Sequence, residues 1–361
     1  MKRLILLCTL AVLLCGVIAV QAQEPVTLTL AAYTTPREAY AEIIPLFQAY
    51  WLAETGQQVE FQESYLGSGA QSRAVAGGFE ADVVALSLER DVTRLVDAGL
   101  ITADWQDNPY NGMVSTSLVV LVVRPGNPKH VTDWADLTRD DIEILTPDPA
   151  TSGGAQWNVI AAYGAAERGY VDGYDASAEG AYAFLVDWLP HVSVFDSAAR
   201  DSVITYSQGI GDVLITYENE YFAGIAAGDE YDIVYPSSSV LIENPVAVVD
   251  TYADAHGVRD VAAAFVAFLY TDEAQAIFAD KGYRPPVVQA EAAEAVEATP
   301  EAADDEAAAP AIWPAGMLDE TQFPLIEDIF TVEYFGGWSQ IGADFFSDTG
   351  IYTQAITEAQ Q

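Results

Sequence analysis

Four times along this chain a short apolar run ends in a cluster of Gly, Ser, Thr or Ala, and a helix-like stretch follows at once. Thr34-Thr35 follows the run at 26–31 and Gly67-Ser68-Gly69 the run at 59–63. Thr151-Ser152-Gly153-Gly154 follows the run at 142–146, and Ser197-Ala198-Ala199 the run at 192–195. Strands that repeatedly feed helices through tight junctions are the pattern of α/β architecture with mostly parallel sheets, because a parallel neighbour needs a crossover to return the chain. Further apolar runs at 81–86, 116–123, 213–217 and 246–249 read as strands. The spacing of Ile43, Ile44, Phe47 and Trp51 predicts a helix up to Gly56. Thr35 and Glu38 have capping-box spacing, Pro36 falls in the first turn, and Pro45 is expected to kink that helix. Other helices are expected at about 89–98 and, as one long amphipathic element, over 258–280.

The junctions carry the chemistry. The first N–H groups of a helix have no intrahelical partner, and the macrodipole adds partial positive charge beside them, so a helix start suits an anion. Ser and Thr hydroxyls add donors, and Gly lets the backbone approach a ligand. A single such junction is equally an ordinary N-cap. Four of them at the carboxyl ends of parallel strands would surround one small anion.

Composition narrows the partners. Fourteen Lys and Arg against 54 Asp and Glu give a formal net charge of −40, which excludes nucleic acid, since that needs a clustered basic footprint. Three histidines (His130, His191 and His256) argue against a His-built metal site, and no cofactor is expected. Lys2-Arg3, the apolar run 4–20 and Val20-Gln21-Ala22 form an export signal, with cleavage after Ala22. A retained transmembrane anchor is the alternative. Cys15 invites a lipoprotein reading, but Leu14 stands where a small residue is needed. Cys8 and Cys15 are the only cysteines, so the mature protein would rest on its core, which its length permits. It is expected outside the cytoplasm, periplasmic or extracellular, with membrane tethering as the variant.

From 287 to 311 the chain is nearly all Ala, Glu, Asp and Pro, including Asp304-Asp305-Glu306. Pro300 and Pro310 interrupt any helix, no large apolar face exists, and a solvated insertion without fixed structure is expected. It lacks the ligand spacing and turn glycine of a calcium loop. Aromatic residues then return, so the C-terminal segment is expected to pack on the rest.

Catalysis finds little support. Ser68 and Ser152 lie outside G-x-S-x-G and no histidine is near them in sequence. Asp212, Glu218 and Glu220 invite a paired-carboxylate reading, with solvated or structural carboxylates the plainer one. Gly67-Ser68-Gly69 has Ser72 where a dinucleotide fingerprint needs glycine. Aromatic residues such as Tyr50, Trp51, Trp157 and Trp188, which would suit an adhesion protein, read as packing.

Six segments carry a more specific signal: VRPGNPK (123–129), TPDPATSGGAQWN (146–158), DSAARDS (196–202), GIGDVLITYENE (209–220), GYRP (282–285) and FGGW (335–338). Together they resemble the periplasmic sulfate/thiosulfate-binding proteins, solute receptors of ABC importers, over about 33–285 and again from about 330. The resemblance implies a two-lobed type II binding-protein fold, with a mostly parallel sheet flanked by helices in each lobe and the ligand in the cleft between them. It implies lobe 1 from 23–115 and 246–286, lobe 2 from 116–245, hinge strands near 116–123 and 242–249, and a C-terminal segment 312–361 packed on the lobes.

Carried over by position, Ser68 matches a serine contacting sulfate, and Ser152, Gly153 and Gly154 match hydroxyl and backbone donors of the second lobe. Ala199 matches a backbone donor, and Arg200 an arginine behind the ligand. Thr34 replaces an aspartate that donates its backbone N–H, and Tyr217 replaces a tryptophan that donates its ring N–H. Leu66-Gly67 replaces Gly-Gly, and Gln156 an arginine. The implied partners are sulfate or a related oxyanion and a membrane permease with its ATPase, for a monomeric receptor that is not an enzyme. Sulfate is preferred to phosphate because none of the matched contact positions supplies a carboxylate, and Tyr217 and the hydroxyls are the only acceptors among them. Molybdate, phosphate or a sulfonate is the alternative ligand, and a hydrolytic enzyme the more distant one.

Overall fold

The computed structural model describes residues 24–288, 312–313 and 316–360. The expected signal at 1–22 and nearly all of the acidic stretch lie outside the described residues.

The chain opens with β1 (Val26–Tyr33), α1 (Arg37–Thr55), β2 (Val59–Leu66), α2 (Ser68–Ala76), β3 (Val83–Ala85) and α3 (Glu89–Asp97). Parallel pairing of β1 with both β2 and β3 makes a first strand group. The long β4 (Met113–Val123) follows, then β5 (Ile144–Pro147), α4 (Gly153–Glu167), α5 (Ala178–Trp188) and β6 (Val192–Asp196). After α6 (Ala199–Ser207) come β7 (Val213–Tyr217), α7 (Glu218–Ala227) and β8 (Asp232–Val234). β5 pairs in parallel with β6 and β7, the second group.

The second long strand, β9 (Ser238–Val248), leads to α8 (Asp250–His256), α9 (Arg259–Phe268) and α10 (Asp272–Asp280). Past the acidic stretch lie β10 (Asp328–Phe330), α11 (Gly337–Asp344) and α12 (Ile351–Ala359).

The sheet order is β2-β1-β3-β9-β4-β7-β5-β6. β4 and β9 tie the groups together and run antiparallel to each other. β9 lends its last residues to β3, and β4 its last residues to β7, again antiparallel. The strands fed by helices are therefore parallel, and the long strands that cross between groups are not. Every residue of β4 is buried, which is why its second half, 118–123, reads as an unbroken apolar run.

The structure revises several readings. The expected helix over 258–280 is two, α9 and α10, bent by 61°. Thr271 takes an extended conformation between them and its Oγ1 accepts the Ala274 N–H at 3.4 Å, a capping role that Thr fills better than a helix interior. Pro45 lies inside α1, and no side chain caps the start of that helix. α5 had no counterpart in the reading. Val287, placed in the acidic stretch from sequence, is buried against Leu241 and Trp313, because its aliphatic side chain belongs with the core.

Helix α4 is buried along nearly its whole length. Its Trp157 meets Trp338 edge-on at 4.5 Å, so the FGGW segment packs on this helix. Trp157 and Trp188 are core residues. Arg284 of the GYRP segment is buried beside the long strands. Its backbone exchanges hydrogen bonds with Thr116, its guanidinium grips Glu218 at 2.7 and 2.9 Å, and Nη2 donates to Pro324 O. Buried Nη1 has no hydrogen-bond partner, but Trp313 and Phe323 flank the group at 5.2 and 5.5 Å, where cation–π attraction compensates in part.

Candidate functional site

Three of the four junctions meet where the two strand groups face each other. Gly67 closes β2 and caps α2; a Cβ there would lie 2.7 Å from Thr151 O and 2.9 Å from Ser197 O. Both oxygens belong to the second group, so only glycine permits the approach. The Ala70 N–H reaches Thr151 O at 3.3 Å, and Thr151 Oγ1 donates to Ser197 O at 2.8 Å. The starts of α2, α4 and α6 are thus stitched together at their strand-to-helix junctions.

Ser152 is the N-cap of α4, its Oγ accepting the Ala155 N–H, which leaves its hydroxyl hydrogen free to donate elsewhere. Gly153 and Gly154 open that helix, with Ala199 and the Tyr217 ring beside Gly154. Ala199 is the first residue of α6. Ser68 opens α2, but its hydroxyl donates to the buried Asp91 carboxylate at 2.6 Å and accepts the Ser87 N–H at 3.0 Å. Its hydroxyl hydrogen is therefore committed, and its backbone N–H is the donor at this helix start. Asp91 is in turn paired with Arg94 at 2.7 Å. None of the contact positions matched from sequence is a carboxylate; the fold brings one to the back of Ser68 from α3.

Thr34, at the end of β1, is buried. It lines a cavity of about 520 Å³ together with Arg37, Gly67, Ala198, Arg200 and Asp201. Arg200 stands behind the start of α6 and reaches two carboxylates: Glu38 of α1 at 2.5 and 2.9 Å, and Glu220 of α7 at 2.7 and 3.3 Å. Nη2 also donates to Thr35 O. Burial pushes the Glu38 carboxyl up, but its bonds to Arg200 outweigh that and leave it below the ordinary range. Burial dominates at Glu220, whose carboxyl is raised despite Arg200.

Tyr217 is fully buried, and burial holds its hydroxyl well above the ordinary tyrosine range, so it stays neutral. Its Oη lies 2.6 Å from Ser87 Oγ. Sequence does not single out Ser87 or Asp91, and it marks Glu38 only for its capping-box spacing with Thr35. Ser87 sits in a strand-to-helix junction like the others, between β3 and α3, and that position was the available signal. Gln156 donates to Pro149 O at 2.8 Å and so braces the loop before α4. The suspected carboxylate cluster disperses: Glu218 pairs with Arg284, Glu220 with Arg200, and Asp212 accepts the Glu143 N–H. No group of His, Cys, Asp or Glu among the described residues could hold a metal ion.

Neutral donors at helix starts, with compensated charges behind them, suit a small anion. The comparisons point the same way. The model of the bacterial extracellular solute-binding proteins matches residues 28–284. A sulfate-binding protein of Synechococcus elongatus is 43% identical over 328 residues, covering 91% of this chain and 85% of its own. A thiosulfate-binding protein of Pseudomonas aeruginosa is 34% identical over 362 residues, covering 98% of each. Among solved structures, the sulfate-binding protein SubI from Mycobacterium tuberculosis superposes with a TM-score of 0.73 at 35% identity, covering 88% of this chain and 98% of that one. With the two-group sheet, its long crossing strands and the helix starts facing one cleft, these matches place the chain in the family of bacterial extracellular solute-binding proteins.

Proposed function

We propose that this chain is an exported receptor for sulfate, with thiosulfate as a close competitor, that delivers its ligand to a membrane permease driven by a separate ATPase. Lobe 1 comprises 23–115 and 246–286, lobe 2 comprises 116–245, and 312–361 packs on the lobes. The lobes close by bending of β4 and β9, a hinge motion. The observation that carries the reading is the convergence of the starts of α2, α4 and α6 in contact across the cleft. Backbone N–H groups of Thr34, Ser68, Gly153, Gly154 and Ala199, with the Ser152 hydroxyl, hold the anion. Arg200 acts from behind α6 rather than by contact, since Glu38 and Glu220 occupy its donors.

Sulfate only accepts hydrogen bonds, and hydrogen bonds to charged groups contribute roughly 1.5–3 kcal/mol each, so several offset its dehydration. The test is calorimetric titration of the dialysed protein with sulfate, competed by thiosulfate, molybdate and phosphate. One-to-one sulfate binding without turnover, with Ser152→Ala weakening it about tenfold or more, is expected. Tighter binding of phosphate or molybdate would keep the receptor and replace the ligand; turnover of a bound ester would replace the receptor with an enzyme.

A further inference from the structure

Ser87 makes three hydrogen bonds, and each joins it to a residue of the cleft or of the facing group. Its N–H donates to Ser68 Oγ at 3.0 Å, its carbonyl accepts Trp157 Nε1–H at 2.9 Å, and its Oγ pairs with Tyr217 Oη at 2.6 Å. Trp157 lies on α4 and Tyr217 ends β7, so two of the three bonds cross between the groups. A Cβ on Gly153 would lie 2.5 Å from Ser87 Oγ, which places the hydroxyl directly against the opening turn of α4. Both Ser87 and Tyr217 are buried.

Resting on the reading of an oxyanion receptor, we infer that Ser87 is an affinity-determining residue of the anion site, acting with Tyr217 as one hydroxyl pair that latches the cleft. Two hydroxyls hold two hydrogens. One lies between the oxygens, whichever atom donates it, and the other is left to be donated to the anion. The pair is therefore a single donor assembled from both sides of the cleft. It exists only when the groups are together, so it strengthens the closed state and the grip on the ligand at once. Removing either hydroxyl breaks the cross-cleft bond, and removing the second then costs little more.

The test measures sulfate binding and its kinetics for wild type, Ser87→Ala, Tyr217→Phe and the double variant, with the thermal midpoint of each ligand-free protein as a control on folding. Each single variant is expected to bind sulfate roughly tenfold or more weakly, with the loss in dissociation rate and the association rate nearly unchanged. The double variant should lose about as much as either single one, not the product expected of independent contacts. Unchanged sulfate affinity in Ser87→Ala, or losses that multiply in the double variant, overturns the inference while leaving the receptor intact. A wild-type protein that binds no oxyanion overturns the receptor reading and the inference with it.

Discussion

Glu218 and Glu220 stand two residues apart at the start of α7, face different ways, and each grips an arginine, but the two pairs sit in different mechanical settings. Glu218 and Arg284 are wholly inaccessible to solvent, beside the crossing strands where the two groups are continuous. Glu220 holds Arg200, whose other carboxylate partner, Glu38, comes from across the cleft and is 42% exposed at its side chain. The same chemistry forms in one place a joint closed to solvent beside the crossing strands and in the other a contact that spans the cleft with one partner open to water. Burial on both sides makes the difference: a pair with no access to water cannot exchange its partner for solvent, whereas Glu38 can.

The largest consequence falls on the joint. Arg284→Ala would leave Glu218 buried and uncompensated, with an expected loss of about 3–5 kcal/mol in unfolding free energy, read from the urea midpoint. A loss below about 1 kcal/mol would abolish the distinction between the two pairs. Glu38→Gln is expected to change the stability of the ligand-free protein by less than about 1 kcal/mol, as half-exposed pairs do, while accelerating sulfate release.

Acid gives a further handle. The Glu38 carboxyl lies below its ordinary value of 4.5 in the fold, so its contribution is full above that value and is lost as pH falls through the depressed one. The thermal midpoints of wild type and Glu38→Gln should therefore converge in acid.

A third ion cluster lies within one group and has the opposite sign. His256 Nδ1 lies 2.7 Å from Asp82 and Nε2 lies 3.3 Å from Glu80. The Asp82 bond foremost, with Glu80 behind it, raises the imidazolium above its ordinary value of 6.5. Its contribution is full below that value and fades as pH rises through the raised one. The effect expected of His256→Gln is a few tenths to about 1 kcal/mol, present near pH 6 and gone in alkali. An effect that grows with pH would mean the ring is held neutral.

Strands and their junctions with helices were legible in the sequence because they are local: an apolar run, then Gly and Ser before helical spacing. The joint and the latch were not, because their partners are distant in the chain. Glu218 and Arg284 are 66 positions apart, Ser87 and Tyr217 are 130 apart, and Glu38 and Arg200 are 162 apart. The carboxylates of α7 were noticed, but no spacing rule says that one finds Arg284 and the other Arg200. The false single helix over 258–280 has the converse cause: Thr271 breaks it through its backbone conformation and cap, while the apolar periodicity on either side continues.

In the proposed function, backbone amides of helix starts hold the anion. The most direct measurement is an amide-resolved NMR titration of the isotope-labelled protein with sulfate. Saturation at one equivalent, with large proton shifts at the amides of Ser68, Gly153, Gly154 and Ala199, is the predicted result. Sulfate that binds without moving those four amides, or moves only surface residues, would contradict it.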